Sequence, residues 1–325
     1  MLQQRGHEVV GFDSDLFSKS TFGADPGIYK TPWIRKDIRD AEQEDVRGFD
    51  AILHLAGLSN DPLGDFRPEV TYDINHKASV KLAELAKKAG VGRFIFSSSC
   101  SNYGAAGDAP VDESSKFNPV TPYGESKVLV ERDVSTMASG AFTPVFLRNA
   151  TAYGVSSRLR FDLVVNNLTA WAFTKGQVRM KSDGMPWRPL VHIEDISRAF
   201  VATLEAPKEM VHNEAFNVGA TKENYRVREV ALIVKDAIPS AEVTFAEGAA
   251  PDLRNYRANC DKYCTRFPQW APKWTVPMAV AELRESFTRN HVTVEDFEGA
   301  RYKRIGQLQQ QLADGVLDGT FRFQK

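Results

Sequence analysis

Tyr123 and Lys127 stand four residues apart in the stretch Tyr-Gly-Glu-Ser-Lys. On a helix that spacing puts both side chains on one face, about one turn from each other. A lysine ammonium there is expected to lower the phenol from its free pKa of about 10, and a second positive charge bound beside it would lower it further. The outcome would be a phenolate able to take a proton from an alcohol near neutral pH. The pair alone is a weak signal, because about one such spacing arises by chance in a chain of this size. Its place strengthens it. It follows the run FSSSCSNYG (residues 96–104), a serine-rich strand end, and parallel α/β sheets carry their ligands at the carboxyl ends of strands. A hydroxyl there can hydrogen-bond the oxygen that the tyrosine deprotonates. Ser97 and Ser98 read as ordinary strand and turn residues, whereas Ser99 is the candidate catalytic hydroxyl.

The elements that must position these groups alternate regularly. Residues 2–6 read as the last turn of a helix stopped by Gly6, and residues 7–13 as a short buried strand ending in Asp13. Helix, glycine, strand and acid form the second half of a dinucleotide-binding βαβ unit, in which the acid holds a ribose hydroxyl. Residues 50–57 and 92–99 are apolar runs expected as strands buried on both faces. Residues 68–90 have helical periodicity, with late lysines and a terminal glycine. Residues 121–139 read as a helix entered through Thr and Pro, and 143–154 as the next strand. This alternation predicts parallel βαβ units and a doubly wound sheet. Beyond Gly154 the rhythm loosens: a helix at 160–176, a strand then a helix at 187–206, a short strand at 214–219, and proline- and aromatic-rich connections. The tail at 301–325 reads as a helix plus an extension whose charges form a solvated face.

A chain of 325 residues, 42% hydrophobic and 26% charged, has the composition of a soluble globular protein. A formal net charge of −1 gives no bulk attraction to nucleic acid or to an acidic membrane. No apolar run approaches the ~18–20 residues of a membrane span, and no signal peptide precedes the first strand. Three cysteines, Cys100, Cys260 and Cys264, do not suggest a disulfide framework. Cys260 and Cys264 share a helical spacing without the further ligands a zinc site needs. The expectation is a cytoplasmic protein of cofactor-binding scale, with no metal.

Taken together, the strand ending in Asp13, KDIRD (36–40), HLAG (54–57), Asn75 in the next helix, SSSCSNYG, PYGESK, LRNATAYG and WRPLVHIEDIS resemble the extended short-chain dehydrogenase/reductase family. Within it they are similar to the NAD-dependent nucleotide-sugar epimerases and dehydratases typified by UDP-galactose 4-epimerase. The resemblance runs from residue 7 to about residue 262. It implies a Rossmann-type sheet over residues 1–155 and a smaller α/β substrate lobe over 156–325, interleaved with sheet elements that return near 190–220. It implies NAD as cofactor, a nucleoside-diphosphate sugar as substrate, and a homodimer. Asp13 would hold the adenosine ribose, Asp37 and Ile38 flank the adenine, and Leu55, Ala56, Gly57 and Asn75 line the cofactor's path. Ser99 and Tyr123 would act on the sugar, and Lys127 would bind the nicotinamide ribose. Arg188, a planar fork suited to phosphate oxygens, would grip the substrate diphosphate. Asp252 and Tyr256 would close over the nucleotide, with Arg254 or Arg257 as a second phosphate contact.

The departures narrow the chemistry. The family's dehydratases carry an Asp-Glu pair after the hydroxyl residue, where this chain has Cys100 and Ser101, so a 4,6-dehydratase is disfavoured. An asparagine found near the diphosphate in relatives is replaced by Thr151. The first strand and its glycine-rich loop are absent, so the expectation is that the sequence enters inside the first helix, that Met1 is an internal methionine, and that the polypeptide binds its cofactor poorly. The resemblance implies epimerisation through a transient keto sugar. A keto-sugar reductase uses the same residues in one direction, and a non-catalytic family member would keep the fold with weakened cofactor binding.

Overall fold

In the computed structural model, residues 1–23, 30–59, 61–180, 182–245 and 254–324 are described. Four parallel strands form the main sheet: β3 (Ala51–His54), β4 (Arg93–Ser99), β5 (Thr143–Asn149) and β9 (Glu214–Val218), in the spatial order β9-β5-β4-β3. The register aligns Ser99 with Asn149, and Asn149 with Val218, so the carboxyl ends lie level. Alternate residues of β4 feed opposite faces. Phe94 and Phe96 join the core beneath α2 (Ala78–Lys88) and α3 (Pro122–Ser135). Ile95 packs with Val145, Leu147 and the buried side of α5 (Ile193–Glu205) on the other face. A sheet covered on both faces explains why these strands read as continuous apolar runs.

The N-terminal segment is shorter than its sequence pattern. A single turn at Gln3–Arg5 is capped by Gly6 at φ +86°, and the strand β1 spans only Gly11–Asp13. β1 pairs in parallel with β2 (Trp33–Arg35) and with no other described strand. One edge therefore stays open and Val10 is exposed, against the expectation of a strand buried throughout.

The helical stretch at 68–88 is not uniform. It opens as α-helix at Pro68–Thr71, widens to π-helix over Tyr72–Lys77, then continues as α2. The widened turn sets the buried Asn75 under the loop that leaves β3. The segment 143–154 splits: β5 stays in the main sheet, while β6 (Thr151–Tyr153) pairs with β8 (Trp187–His192), which in turn pairs antiparallel with β10 (Asn224–Arg226).

A second core surrounds Phe161, which meets Phe287, Phe297 and Tyr302 edge-on at 5.6, 5.6 and 5.3 Å. It gathers α4 (Val164–Lys175), β7 (Gln177–Met180), α6 (Val227–Ala237) and α7 (Val276–Arg289). The tail is less solvated than its charge pattern implies. Arg304 and Gln307 in α8 (Arg304–Ala313) are buried, and Leu317 and Phe321 enter the core under the main sheet.

Gly154 closes β6 at φ +99°, where a Cβ would stand 2.1 Å from Nε2 of the buried His192. Backbone strain and overpacking add there, so Gly154→Ala should cost at least ~2 kcal/mol. Urea unfolding of the two proteins measures the difference.

Candidate active site

Ser99 ends β4 and caps the short 3-10 turn Cys100–Tyr103, accepting the Ser101 N–H at 3.1 Å. Thr121 is the N-cap of α3 and Pro122 its first residue, so Tyr123 falls on the first turn. The two elements meet: the Ser99 side chain lies near enough to the Tyr123 phenol to work toward lowering it. Gly64 of α1 (Asp61–Phe66) lies directly on this turn; a Cβ there would be 3.0 Å from Cβ of Tyr123. Tyr123 is thus held from beneath by a backbone, and only glycine allows that approach.

Lys127 shares the helix face with Tyr123, as the spacing predicts, but its ammonium does not bond the phenol. Nζ donates to the Ser97 carbonyl at 2.8 Å and lies 4.6 Å from the centre of the Phe96 ring, against 5.7 Å from that of Tyr123. The expected lowering of the phenol is therefore corrected for the chain without ligands. Burial pushes Tyr123 up to about 12; the Ser99 hydrogen bond and Arg160 work against that rise, and Asp61 adds to it. Burial also brings Lys127 down to about 8, opposed by Glu131. The site holds its phenol protonated and its lysine only just charged at neutral pH.

The spacing continues to a residue the sequence reading passed over. Glu131, one more turn along α3, is buried and pairs with buried Arg148 of β5, Nη2 to Oε2 at 2.7 Å. Its Oε1 accepts Ser98 Oγ at 2.5 Å and Asn102 Nδ2 at 2.9 Å. Arg148 Nη1 donates to the Tyr103 hydroxyl, which donates to Asn217 Oδ1 of β9. Helix α3, the turn after Ser99 and three strand ends are thereby tied to one ion pair. The i, i+4, i+8 series Tyr123, Lys127, Glu131 was the available signal.

The remaining candidates fall into groups. Asp13 is exposed at the end of β1, accepting the Asp15 N–H at 2.7 Å, and its carbonyl accepts Lys36 N–H from the end of β2. Asp37, next to it, is held below the usual carboxylate range: burial raises it, but side-chain and backbone hydrogen bonds from Arg39 outweigh that. Ile38 is buried in the core rather than open to a ring. Leu55 is 56% exposed and Ala56 partly so at the end of β3, while a Cβ on Gly57 would press to 2.9 Å from Asn75 Oδ1. Asn75 uses its amide on this loop, taking Leu58 N–H at 2.7 Å and donating to the Leu58 carbonyl and Ser126 Oγ. It supports the path rather than facing it.

Arg188 is buried in β8 and donates to the Arg254 carbonyl at 2.5 Å. Buried Tyr256 is hydrogen-bonded to Ser101, beside the Ser99 turn, and burial raises its phenol. Thr151 opens β6 opposite Leu190. Asp252 lies outside the described residues. Among the described residues no cluster of His, Cys, Asp or Glu is placed to hold a metal, and no helix is long and apolar enough to cross a membrane.

An exposed carboxylate at one strand end, an exposed apolar strand end after β3 and a Ser-Tyr-Lys group after β4 fit a dinucleotide laid across the carboxyl edge of the sheet. The parallel sheet covered by helices on both faces is that of the doubly wound α/β class. A family model described as the NAD dependent epimerase/dehydratase family matches residues 1–219, and the chain belongs to that family. Its cofactor is NAD. UDP-glucose 4-epimerase of Corynebacterium glutamicum is 26% identical over 307 residues, covering 89% of this chain and 90% of the relative. The Neisseria meningitidis serogroup C enzyme of that name is 28% identical over 248 residues, 67% of this chain and 72% of the relative. The solved UDP-glucuronic acid 4-epimerase of Bacillus cereus, in complex with UDP-glucuronic acid and NAD, superposes with a TM-score of 0.75 at 24% identity, over 89% of this chain and 93% of that one. An NAD dependent NDP-hexosamine 5,6-dehydratase superposes at 0.77 and 23% identity, over 89% and 92%. At these identities the two structures establish the Rossmann-type fold.

Lys127 yields a test of how burial acts on the site. The unfolded chain keeps the lysine proton up to about pH 10.5. From about 8 to 10.5 it therefore binds more protons than the folded chain, and stability rises with pH across that window. Below it the full penalty of a buried ammonium applies. Lys127→Met should match or exceed the wild-type melting temperature at pH 7, with the advantage shrinking as pH approaches 10.5. Scanning calorimetry at several pH values checks this; a clear loss at pH 7 would make the Ser97 hydrogen bond the dominant effect.

Proposed function

We propose that the chain epimerises a nucleoside-diphosphate sugar through a transient keto sugar. The observation that carries this reading is the placement of Ser99, at the end of β4, beside Tyr123 on the first turn of α3, with Lys127 one turn behind. Bound NAD supplies the acceptor that takes a hydride from the sugar carbon and returns it. The residues supply the rest. Ser99 Oγ orients the reacting hydroxyl, and Tyr123 Oη exchanges the proton with it. The resting phenol, lifted to about 12, is in its acid form. A positive charge seated beside it lets that proton leave to solvent, and the phenolate so formed takes the sugar hydroxyl's proton and later returns it to the keto oxygen. Lys127 holds a ribose hydroxyl and its charge favours the phenolate.

Arg188 and Arg254 receive the substrate diphosphate, and Tyr256 flanks it near Ser101. An anchor on the diphosphate leaves the sugar ring free to turn, so that either face can meet the hydride. Asp13 holds the adenosine ribose, with Asp37 and the 55–57 loop completing the cofactor's bed, while Ile38 supports it from the core. Arg148 and Glu131 act on none of these ligands directly; they fix the elements that carry Ser99 and Tyr123.

Incubation with UDP-, dTDP- and GDP-hexoses in the presence of NAD, followed by NMR of the sugar, tests the reading. An epimer should form with no net change in NADH. Stoichiometric NADH loss with a 4-keto sugar, and no epimer from any hexose, would replace it with a reductase. Tyr123→Phe should keep NAD affinity and lower turnover by about a hundredfold, the usual scale for loss of a general acid/base. Near-normal turnover would remove the phenol from the mechanism.

A further inference from the structure

A chain of hydrogen bonds runs from β8 to the first turn of α3. Arg188 Nη1 donates to the carbonyl of Arg254. The Arg254 guanidinium makes an ion pair with Asp61 through Oδ2. The other carboxylate oxygen, Oδ1, accepts Thr121 Oγ1 at 2.6 Å. Thr121 Oγ1 in turn accepts the Gly124 N–H at 3.2 Å, as the cap of the helix that carries Tyr123. Asp61 is 9% exposed, and its two oxygens serve two different parts of the fold.

Both ends of this chain are fixed independently. Asn255, next to Arg254, accepts Trp187 N–H through Oδ1 at 2.9 Å, and residues Arg257–Ala258 pair with Pro110–Val111. On the other side Gly64, one turn along α1 from Asp61, rests against the backbone of Tyr123. A carboxylate that only capped a helix would need one of these partners. An exposed ion pair would be worth little. A largely buried carboxylate with a charge-assisted bond on one oxygen and a hydroxyl on the other fixes the distance between its partners. Misplacement of a reacting group by about 1 Å costs on the order of a hundredfold in rate, so that distance matters to chemistry.

We propose that Asp61 is a positioning residue that sets the Arg254 guanidinium in register with the helix bearing Tyr123, so that seating the substrate's diphosphate and aiming the phenol depend on one carboxylate. This rests on the reading above that Arg254 receives a diphosphate. The residue does not touch the reacting atoms. It acts through its two partners.

Calorimetric titration of the chain with UDP, dTDP and GDP, and separately with NAD, tests it. Asp61→Asn keeps an oxygen for Thr121 and removes the charge opposite Arg254. It should weaken nucleoside-diphosphate binding about tenfold, as expected on losing a bond to a charged group, with NAD affinity and melting temperature unchanged. Thr121→Val, which releases Asp61 without altering any ligand-binding group, should weaken the same binding in the same direction. Asp61→Asn with Arg254→Gln should bind no more weakly than Arg254→Gln alone, since both remove one link. Variants within twofold of wild type would overturn the positioning role alone. A parallel loss of NAD affinity and melting temperature would also overturn it, as a general structural role. A wild-type chain that binds none of the three diphosphates would overturn the substrate reading and this inference together.

Discussion

The ion pair between Glu131 and Arg148 sits where α3, β4, β5 and β9 converge, and the placement of the reacting groups depends on it. Two charges have been taken out of water to make it, and their mutual attraction alone does not guarantee a net gain. What the pair secures is geometry. Glu131 also accepts from Ser98 and Asn102, on either side of the turn that begins at Ser99. Arg148 reaches the carbonyl of Glu113 and, through Tyr103, the side chain of Asn217. Ser98 and Asn217 lie near strand ends, and Asn102 and Tyr103 in the turn that follows Ser99. Removal of either charge would leave the other buried and unpaired, which costs about 3–5 kcal/mol. The arrangement therefore penalises any structure in which the helix and the serine turn drift apart.

Around this pair the site uses burial as its main electrostatic instrument. The same low-polarity surroundings raise the phenol of Tyr123 and lower the ammonium of Lys127. Both groups are moved toward their neutral forms. Lys127 stays charged at neutral pH, whereas the phenolate of Tyr123 becomes accessible only when a positive charge is seated beside it. His54 follows the same logic. Buried against Phe96 and bonded to Ser79, it is driven down to about 3, burial being the chief cause and Lys127 the second, and stays neutral.

The parts of this arrangement that were legible in the sequence are those that local periodicity controls. The face shared by Tyr123 and Lys127 follows from a spacing of four, and the strand that delivers Ser99 follows from an apolar run with a polar end. Rotamer choice was not legible. Lys127 turns to the Ser97 carbonyl and the Phe96 ring because a buried ammonium needs an acceptor, and spacing does not say which one is nearest. Contacts between distant segments were also hidden: Asp61 meets Arg254 across 193 positions, and nothing in LSNDPLGD marks Asp61 rather than Asp65 as the one that will be covered. Asn75 was recognised, but as a wall of the cofactor path; the π-helical turn that carries it under the 57–58 loop has no simple pattern. The tail misled in the opposite direction. Its charges suggested a solvated face, whereas Arg304 and Gln311 are turned inward.

That tail has a bearing on how the protein is made. Phe321 is 1% exposed, adopts a left-handed backbone at φ +63° that a bulky residue rarely takes, and stacks on Phe66 at 6.1 Å. Phe66 is the last residue of α1, the helix that carries Asp61 and rests on Tyr123. Ribosomal synthesis delivers α1 early and Phe321 late. The floor beneath α1 is therefore completed only by a segment that lies far along the chain from it, so the packing beneath Tyr123 depends on a contact between distant parts of the sequence.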